Sequence, residues 1–176
     1  MERVALGIDP DTKTTAWALV TLTKILAVGV FRVQDDDNML RASAYGINEL
    51  FVPRKVDIAV VEGQKIYTGS KADPNDLITL AHVAGGIAGQ LAVLCPQVPV
   101  CVPKPQDWKK QTPKDIHQAR VLNKFGLLVE KRAEYALPAG CAKSAKILGA
   151  SGLRDSDWKH VSDAVGLAAY GLGLLL

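Results

Sequence analysis

Residues 1–33 hold three short apolar runs separated by polar turns. Residues 3–9 run apolar into Asp9, Pro10 turns the chain, and residues 15–22 form the second run. Residues 25–33, rich in Val, Ile and Phe, form the third. Strand-length runs joined by short turns predict an antiparallel three-stranded meander. Asp35-Asp36-Asp37-Asn38 closes it and reads as a solvated turn and helix N-terminus rather than a cation site. Residues 39–51 carry apolar positions at 40, 44, 47, 50 and 51, a helical spacing that Pro53 ends. Asp57-Ile58-Ala59-Val60-Val61 has the pattern of a central strand covered on both faces, and Glu62 follows at once.

Residues 64–75 are polar and read as a loop beside Glu62, with Lys65, Tyr67 and Lys71 able to touch a substrate or to be simply solvated. Residues 76–94 predict a long apolar helix. Its Gly85, Gly86 and Gly89 permit close packing, either within the domain or across a dimer seam. Residues 98–102 read as a fifth strand, after a turn bracketed by Pro96 and Pro99. A helix with Thr112 as N-cap and Pro113 in its first turn runs through Phe125. Residues 126–155 show no clear period. The last helix starts near Ser156 as N-cap and extends towards 175, with Asp157, His160, Asp163 and Leu167 on one face. His160 and Asp163 are three apart and therefore neighbours, either as a local hydrogen-bonded pair or as a pair of ligands. The order βββ-α-β-α-β-α-α, with no repeat or boundary, gives an α/β chain with a single domain over residues 1–176.

Charge adds a second layer. The net charge is +3, but residues 1–100 carry 9 Lys/Arg against 11 Asp/Glu, about −2, while residues 101–176 carry 12 against 7, about +5. A basic C-terminal half suits a polyanionic partner, or is a solvated face. Residues 104–132 alone hold eight Lys/Arg against three acids. Trp108 among those lysines reads as a base-stacking ring or as a cap on the core, with the core the better choice. Cys95, Cys101 and Cys141 form no CxxC pair, which argues against structural zinc and a disulfide framework. There is no signal-peptide pattern, and the apolar tail from 165 is short and broken by Gly166, Gly171 and Gly173. It reads as a buried helix, so no membrane partner and a cytoplasmic location are expected.

Asp9 and Glu62 each end an apolar strand, and Asp163 lies in the last helix. Three carboxylates on three elements, each against apolar sequence, suggest a site for a hard divalent cation. Should the strand before Glu62 add beside the first strand, Asp9 and Glu62 would end adjacent strands, with Asp163 presented across from them.

In this order, these segments resemble the RuvC Holliday-junction resolvases of the RNase H-like superfamily. Gly7-Ile8-Asp9-Pro10 followed by Thr15 is similar to that family's opening motif, and Val60-Val61-Glu62-Gly63-Gln64 to its second acidic motif. Residues 81–87 resemble the helix that follows. Val102-Pro103, Trp108-Lys109-Lys110 and Lys114 resemble its basic segment. His160-Val161-Ser162-Asp163-Ala164 matches the terminal motif, where the family has Asp or His three residues before an Asp-Ala pair. Each motif is short, but together they span almost the whole chain in order. Asp11 stands where the family has glycine, and the stretch around Gln111 lacks a glycine-rich segment. These departures suggest a divergent branch, with a viral source as one option.

The resemblance implies an RNase H-like fold, a five-stranded mixed sheet combining the meander with parallel strands, with helices on both faces. It implies a Mg2+-dependent endonuclease, with Mn2+ as a substitute, that cleaves branched DNA such as four-way Holliday junctions. It further implies a homodimer, in the host cytoplasm if viral. On this pattern Asp9 bridges two metal ions, Glu62 and Asp163 complete the shells, and His160 ligates or positions water. Asp157, one turn earlier, is the alternative for that last role. Lys104, Trp108, Lys109, Lys110, Lys114 and Arg120 would contact DNA. The competing readings are a non-cleaving structured-nucleic-acid-binding module, an RNA-directed nuclease of the same fold, and a sugar-kinase or actin-type ATPase, which is usually longer and duplicated.

Overall fold

In the computed structural model, five strands form one sheet in the order β3-β2-β1-β4-β5. The structure describes residues 2–32, 46–48, 55–65, 73–110, 112–126 and 152–174. β1 (Ala5–Asp9), β2 (Thr14–Val20) and β3 (Ile25–Arg32) pair antiparallel, as the spacing of turns predicts. β4 (Ile58–Val61) adds parallel to β1, and β5 (Val100–Cys101) parallel to β4. The helices are α1 (Pro74–Leu94), the single turn α2 (Pro105–Trp108), α3 (Lys114–Lys124) and α4 (Trp158–Gly171). Residues 46–48 are helical, and the rest of the helix expected over 39–51 lies outside the described residues. So do the acidic run 35–38, the loop positions Tyr67 and Lys71, and residues 127–151.

Alternation along β1 builds the two layers. Ala5, Gly7 and Asp9 share one face, Leu6 and Ile8 the other. Leu6 and Ile8 join Leu19, Ala59 and Val61 in an apolar layer closed by Val83, Ile87 and Leu91 of α1. On the opposite face, Ala5, Ala16, Ala18 and Val20 pack with Val161, Ala164, Val165 and Ala168 of α4. That second face is made of small residues, so α4 comes close to the strands. A Cβ at Gly7 would fall 1.9 Å from the Ala164 carbonyl oxygen and 2.5 Å from the Ala168 amide nitrogen. Glycine alone permits this contact, which sets the first turns of α4 over the end of β1.

Helix ends depart from the sequence reading at three starts and at the end of α4. α1 starts at Pro74, two residues early, because the Asp73 side chain caps it by accepting from the Asn75 amide at 2.8 Å. α3 starts at Lys114: Pro113 keeps an extended ψ of 142° and takes the cap position expected for Thr112. α4 starts at Trp158 after a 3-10 turn over Asp155–Asp157, so Ser156 does not cap it. It ends at Gly171, where the amides of Gly173 and Leu174 fold back to the carbonyls of Tyr170 (2.9 Å) and Ala169 (3.0 Å).

Candidate active site

The β1–β4 ladder continues one residue past β4, where the Glu62 amide donates to the Ile8 carbonyl at 3.0 Å. Asp9 and Glu62 therefore end adjacent parallel strands. Val61 faces α1, so Glu62 lies with Val60 on the α4 side, as Asp9 does. Asp9, Glu62 and Asp163 are all buried, at 5%, 8% and 1% exposure. His160 joins them, but not through its helix neighbour. Its Nδ1 lies 3.0 Å from Asp9 Oδ2, so the expected partner Asp163 is replaced by the acid at the end of β1.

Lysines lie between the carboxylates. Lys109 Nζ is 3.1 Å from Glu62 Oε1 and 3.4 Å from Asp163 Oδ2, and Lys114 Nζ is 2.9 Å from the same Asp163 oxygen. Among the described residues, no three His, Cys, Asp or Glu side chains close on a common point that could hold one ion. The ligand set expected from the sequence is thus assembled at one end of the sheet, with ammonium groups spacing its members. Burial, and then the Asp9 charge, push the Glu62 carboxyl up to about 7, against the opposing pull of Lys109. The hydrogen bond to Asp9 raises the His160 pKa despite burial. Burial works against the Lys114 ammonium, but the charge and hydrogen bond of Asp163, together with the charges of Asp9 and Glu62, outweigh it and the pKa rises.

The residues expected to contact DNA divide into two groups. Lys104, Lys110, Lys114 and Arg120 are exposed, with Lys110 in a left-handed backbone (φ 54°) at the bend after α2. Lys109 is mostly buried and turned into the acidic cluster. Trp108 is also buried, against Val60 and Leu167, so its ring belongs to the core and is not presented to a base. Its Nε1 donates to Glu62 Oε1 at 3.1 Å. Asp157, the alternative water-positioning acid, accepts from the Arg154 amide at 2.7 Å and pairs with Arg32 of β3. Asp11 builds the β1–β2 turn: its Oδ1 accepts from the Lys13 amide at 2.8 Å, and its carbonyl accepts from the Thr15 hydroxyl at 3.1 Å. Gln118 entered no sequence argument, yet its Nε2 donates to Asp163 Oδ1 at 3.2 Å and to the Lys159 carbonyl at 3.0 Å. Only the helical period of α3, which turns Gln118 to the same side as Val121 and Leu122, could have pointed to it.

No protein-family model matches the chain, and no curated protein matches it in sequence. Solved structures do match. Thermus thermophilus RuvC in complex with a Holliday junction substrate aligns with a TM-score of 0.63 and 18% identity, over 98% of this chain and 97% of its own. The yeast mitochondrial Holliday junction resolvase Ydc2 gives 0.53 and 18%, over 97% of this chain and 78% of its own. The fowlpox virus Holliday junction resolvase gives 0.52 and 13%, over 98% and 99%. At these identities the likeness is one of architecture: the chain has the RNase H-like fold of the RuvC-type resolvases.

Proposed function

We propose that this chain is a divalent-metal-dependent endonuclease that cuts branched DNA, with four-way junctions as its substrate class, and that it works as a homodimer. The observation that carries this reading is the meeting of three buried carboxylates, Asp9, Glu62 and Asp163, at one end of the sheet beside the basic α2–α3 segment. The fold shared with resolvases supports it.

The donor set fits Mg2+ or Mn2+. Asp163 Oδ2 is buried and paired with two ammonium groups, and burial with the Asp9 charge pushes the Glu62 carboxyl up to about 7. Buried carboxylate oxygens that already draw cationic groups to themselves are the hard donors these ions take. Asp9, Glu62 and Asp163 would hold the metal, with His160 beside them. When bound, such an ion stabilises charge on a phosphodiester and acidifies water. Asp9 fixes the His160 ring through Nδ1 and keeps it ready to exchange a proton. Lys109 and Lys114 have side chains long enough to turn from carboxylate to phosphate. With the exposed Lys104, Lys110 and Arg120 they form a basic rim that gives affinity without reading sequence.

The dimer rests on α1. Val83, Ala84, Ile87 and Leu91 are spent on the sheet, but most of this long apolar helix is unburied. Ile78, Gly85, Gly89 and Val93 are exposed along it. A two-fold dimer would present two sites in the symmetry of a four-way junction.

The test is incubation with Mg2+ or Mn2+ on a four-way junction, a plain duplex and an RNA–DNA hybrid. Paired incisions in the junction are expected, abolished in Asp9→Asn and Glu62→Gln while junction binding persists. Cutting confined to the hybrid would favour an RNA-directed nuclease. Binding without cutting by the wild-type protein would make it a non-cleaving module.

A further inference from the structure

We infer that Trp108 and Gln118 are positioning residues, each aiming one carboxylate of the site, Glu62 and Asp163 respectively, through a neutral N–H donor. The inference rests on the reading of those carboxylates as metal ligands.

Trp108 belongs to a basic segment, where a tryptophan has the alternative of stacking on a nucleic-acid base. Its surroundings exclude that use. The ring is 5% exposed, packs on Val60 and Leu167, and meets the His117 ring edge-on at 4.9 Å. A Cβ at Gly166 of α4 would come within 2.6 Å of Trp108 Cζ3, so the helix leaves room for this ring and little more. Held in that slot, the indole has one polar group, and it donates to Glu62 Oε1 at 3.1 Å.

Gln118 is built the same way from the other side. It is 4% exposed, and its amide nitrogen divides its donors between the Lys159 carbonyl at 3.0 Å and Asp163 Oδ1 at 3.2 Å. The first bond fixes the amide to the backbone of α4. The second fixes the carboxylate, so that Oδ2 is the oxygen turned to Lys109 and Lys114.

The neutrality of both donors matters. A lysine beside a carboxylate cancels the charge that a cation needs, and must be displaced when the cation binds. An indole or amide N–H holds the same carboxylate in direction and leaves its charge in place. Hydrogen bonds of this kind to metal ligands typically affect metal affinity by about 10–100-fold.

Two substitutions separate the donor from the packing. Trp108→Phe keeps an aromatic ring under the Lys109 ammonium, which lies 4.4 Å from the ring centroid, and deletes the N–H. Gln118→Met keeps the length of the side chain and deletes the amide. The measurement is Mn2+ binding to the full chain without DNA, by titration calorimetry or the paramagnetic resonance of free Mn2+, well below the melting temperature. Junction binding in EDTA is measured on the same preparations. Each variant should bind Mn2+ about 10-fold more weakly or worse, with junction binding unchanged. A purely structural role would lower the melting temperature and leave the Mn2+ affinity of the folded protein at its wild-type value, and that result overturns the inference. Wild-type protein that binds no Mn2+ would overturn it together with the metal reading. Binding by the wild type with no loss in either variant overturns it alone. Should Trp108→Phe fail to fold, Gln118→Met carries the same comparison.

Discussion

Asp157 shows how one side chain can be read two ways from sequence and one way from its contacts. It lies one turn before His160 on the same helical stretch, which is where a water-positioning acid would be sought. Its carboxylate is instead bonded to the Arg154 amide and paired with Arg32. Burial pushes its pKa up, but Arg32 and the Arg154 amide outweigh burial and hold the carboxyl below its ordinary 3.8. A depressed carboxyl pKa stabilises the fold above the unfolded value, and that contribution is lost as pH falls through the folded one. Asp157→Asn should therefore destabilise the protein at pH 7 by about 2 kcal/mol, with the difference shrinking below about pH 4. Denaturant midpoints of both proteins across that range measure it. Cleavage per folded molecule should stay at the wild-type rate; a large loss in the stable variant would return Asp157 to the site. The same contrast explains which candidate site residues the sequence exposes. Asp9 and Glu62 can be found because strand alternation puts a lone acid at the end of an apolar run on a definite face. Asp163 can be found because a charge inside an apolar helix needs a reason. Trp108 and Gln118 act on acids 46 and 45 residues away, and no local period encodes such a contact.

At the scale of elements, the site depends on how closely α4 lies on β1. Periodicity predicts every strand and each described helix of eight residues or more, because strands and helices differ in repeat and turn residues separate them. The parallel placement of β4 beside β1 follows only from a rule of topology, that a crossover can return a strand to the same sheet. Ends of helices escape the sequence because capping is a competition among neighbours. Asp73 wins at α1, while Asp157 is drawn off to Arg32 and leaves α4 without a side-chain cap. The depth of α4, by contrast, is written in small residues: Ala5, Gly7, Ala16 and Ala18 on the sheet, Ala164 and Ala168 on the helix. Gly7→Ala should test it. With backbone atoms of Ala164 and Ala168 as close as 1.9 Å and 2.5 Å to the new methyl group, the helix must shift as a unit. Overpacking of this kind costs about 1–3 kcal/mol, occasionally more, and here it would also lengthen the Asp9–His160 contact. The expected result is a lower denaturant midpoint together with a cleavage loss larger than the unfolded fraction explains. A Gly7→Ala protein of wild-type stability and rate would show that α4 is not held by this contact.

For the whole molecule, the proposed paired cut across a two-fold branched substrate calls for two sites, of which each protomer would supply one. A candidate surface for pairing is the outer face of α1. Ile78, Gly85, Gly89 and Val93 are exposed there, and among the described residues a Cβ at Gly85 or Gly89 would meet nothing within 4 Å. The described residues give those glycines no steric reason to be glycine, and each costs about 1 kcal/mol of helix propensity relative to alanine. A second helix lying against them would supply the reason. Replacing both with glutamate, Gly85→Glu with Gly89→Glu, should leave the protomer folded, with unchanged far-ultraviolet circular dichroism, because the new side chains project away from the core. The same change should convert a dimer into a monomer in sedimentation velocity, since it places carboxylates in a close apolar seam. On a four-way junction the monomer should bind more weakly and leave single nicks where the wild type leaves paired ones. A variant that remains dimeric would move the seam away from α1. Wild-type protein that sediments as a monomer both free and on the junction would end the dimer reading, and paired incision would then have to arise from two independent encounters.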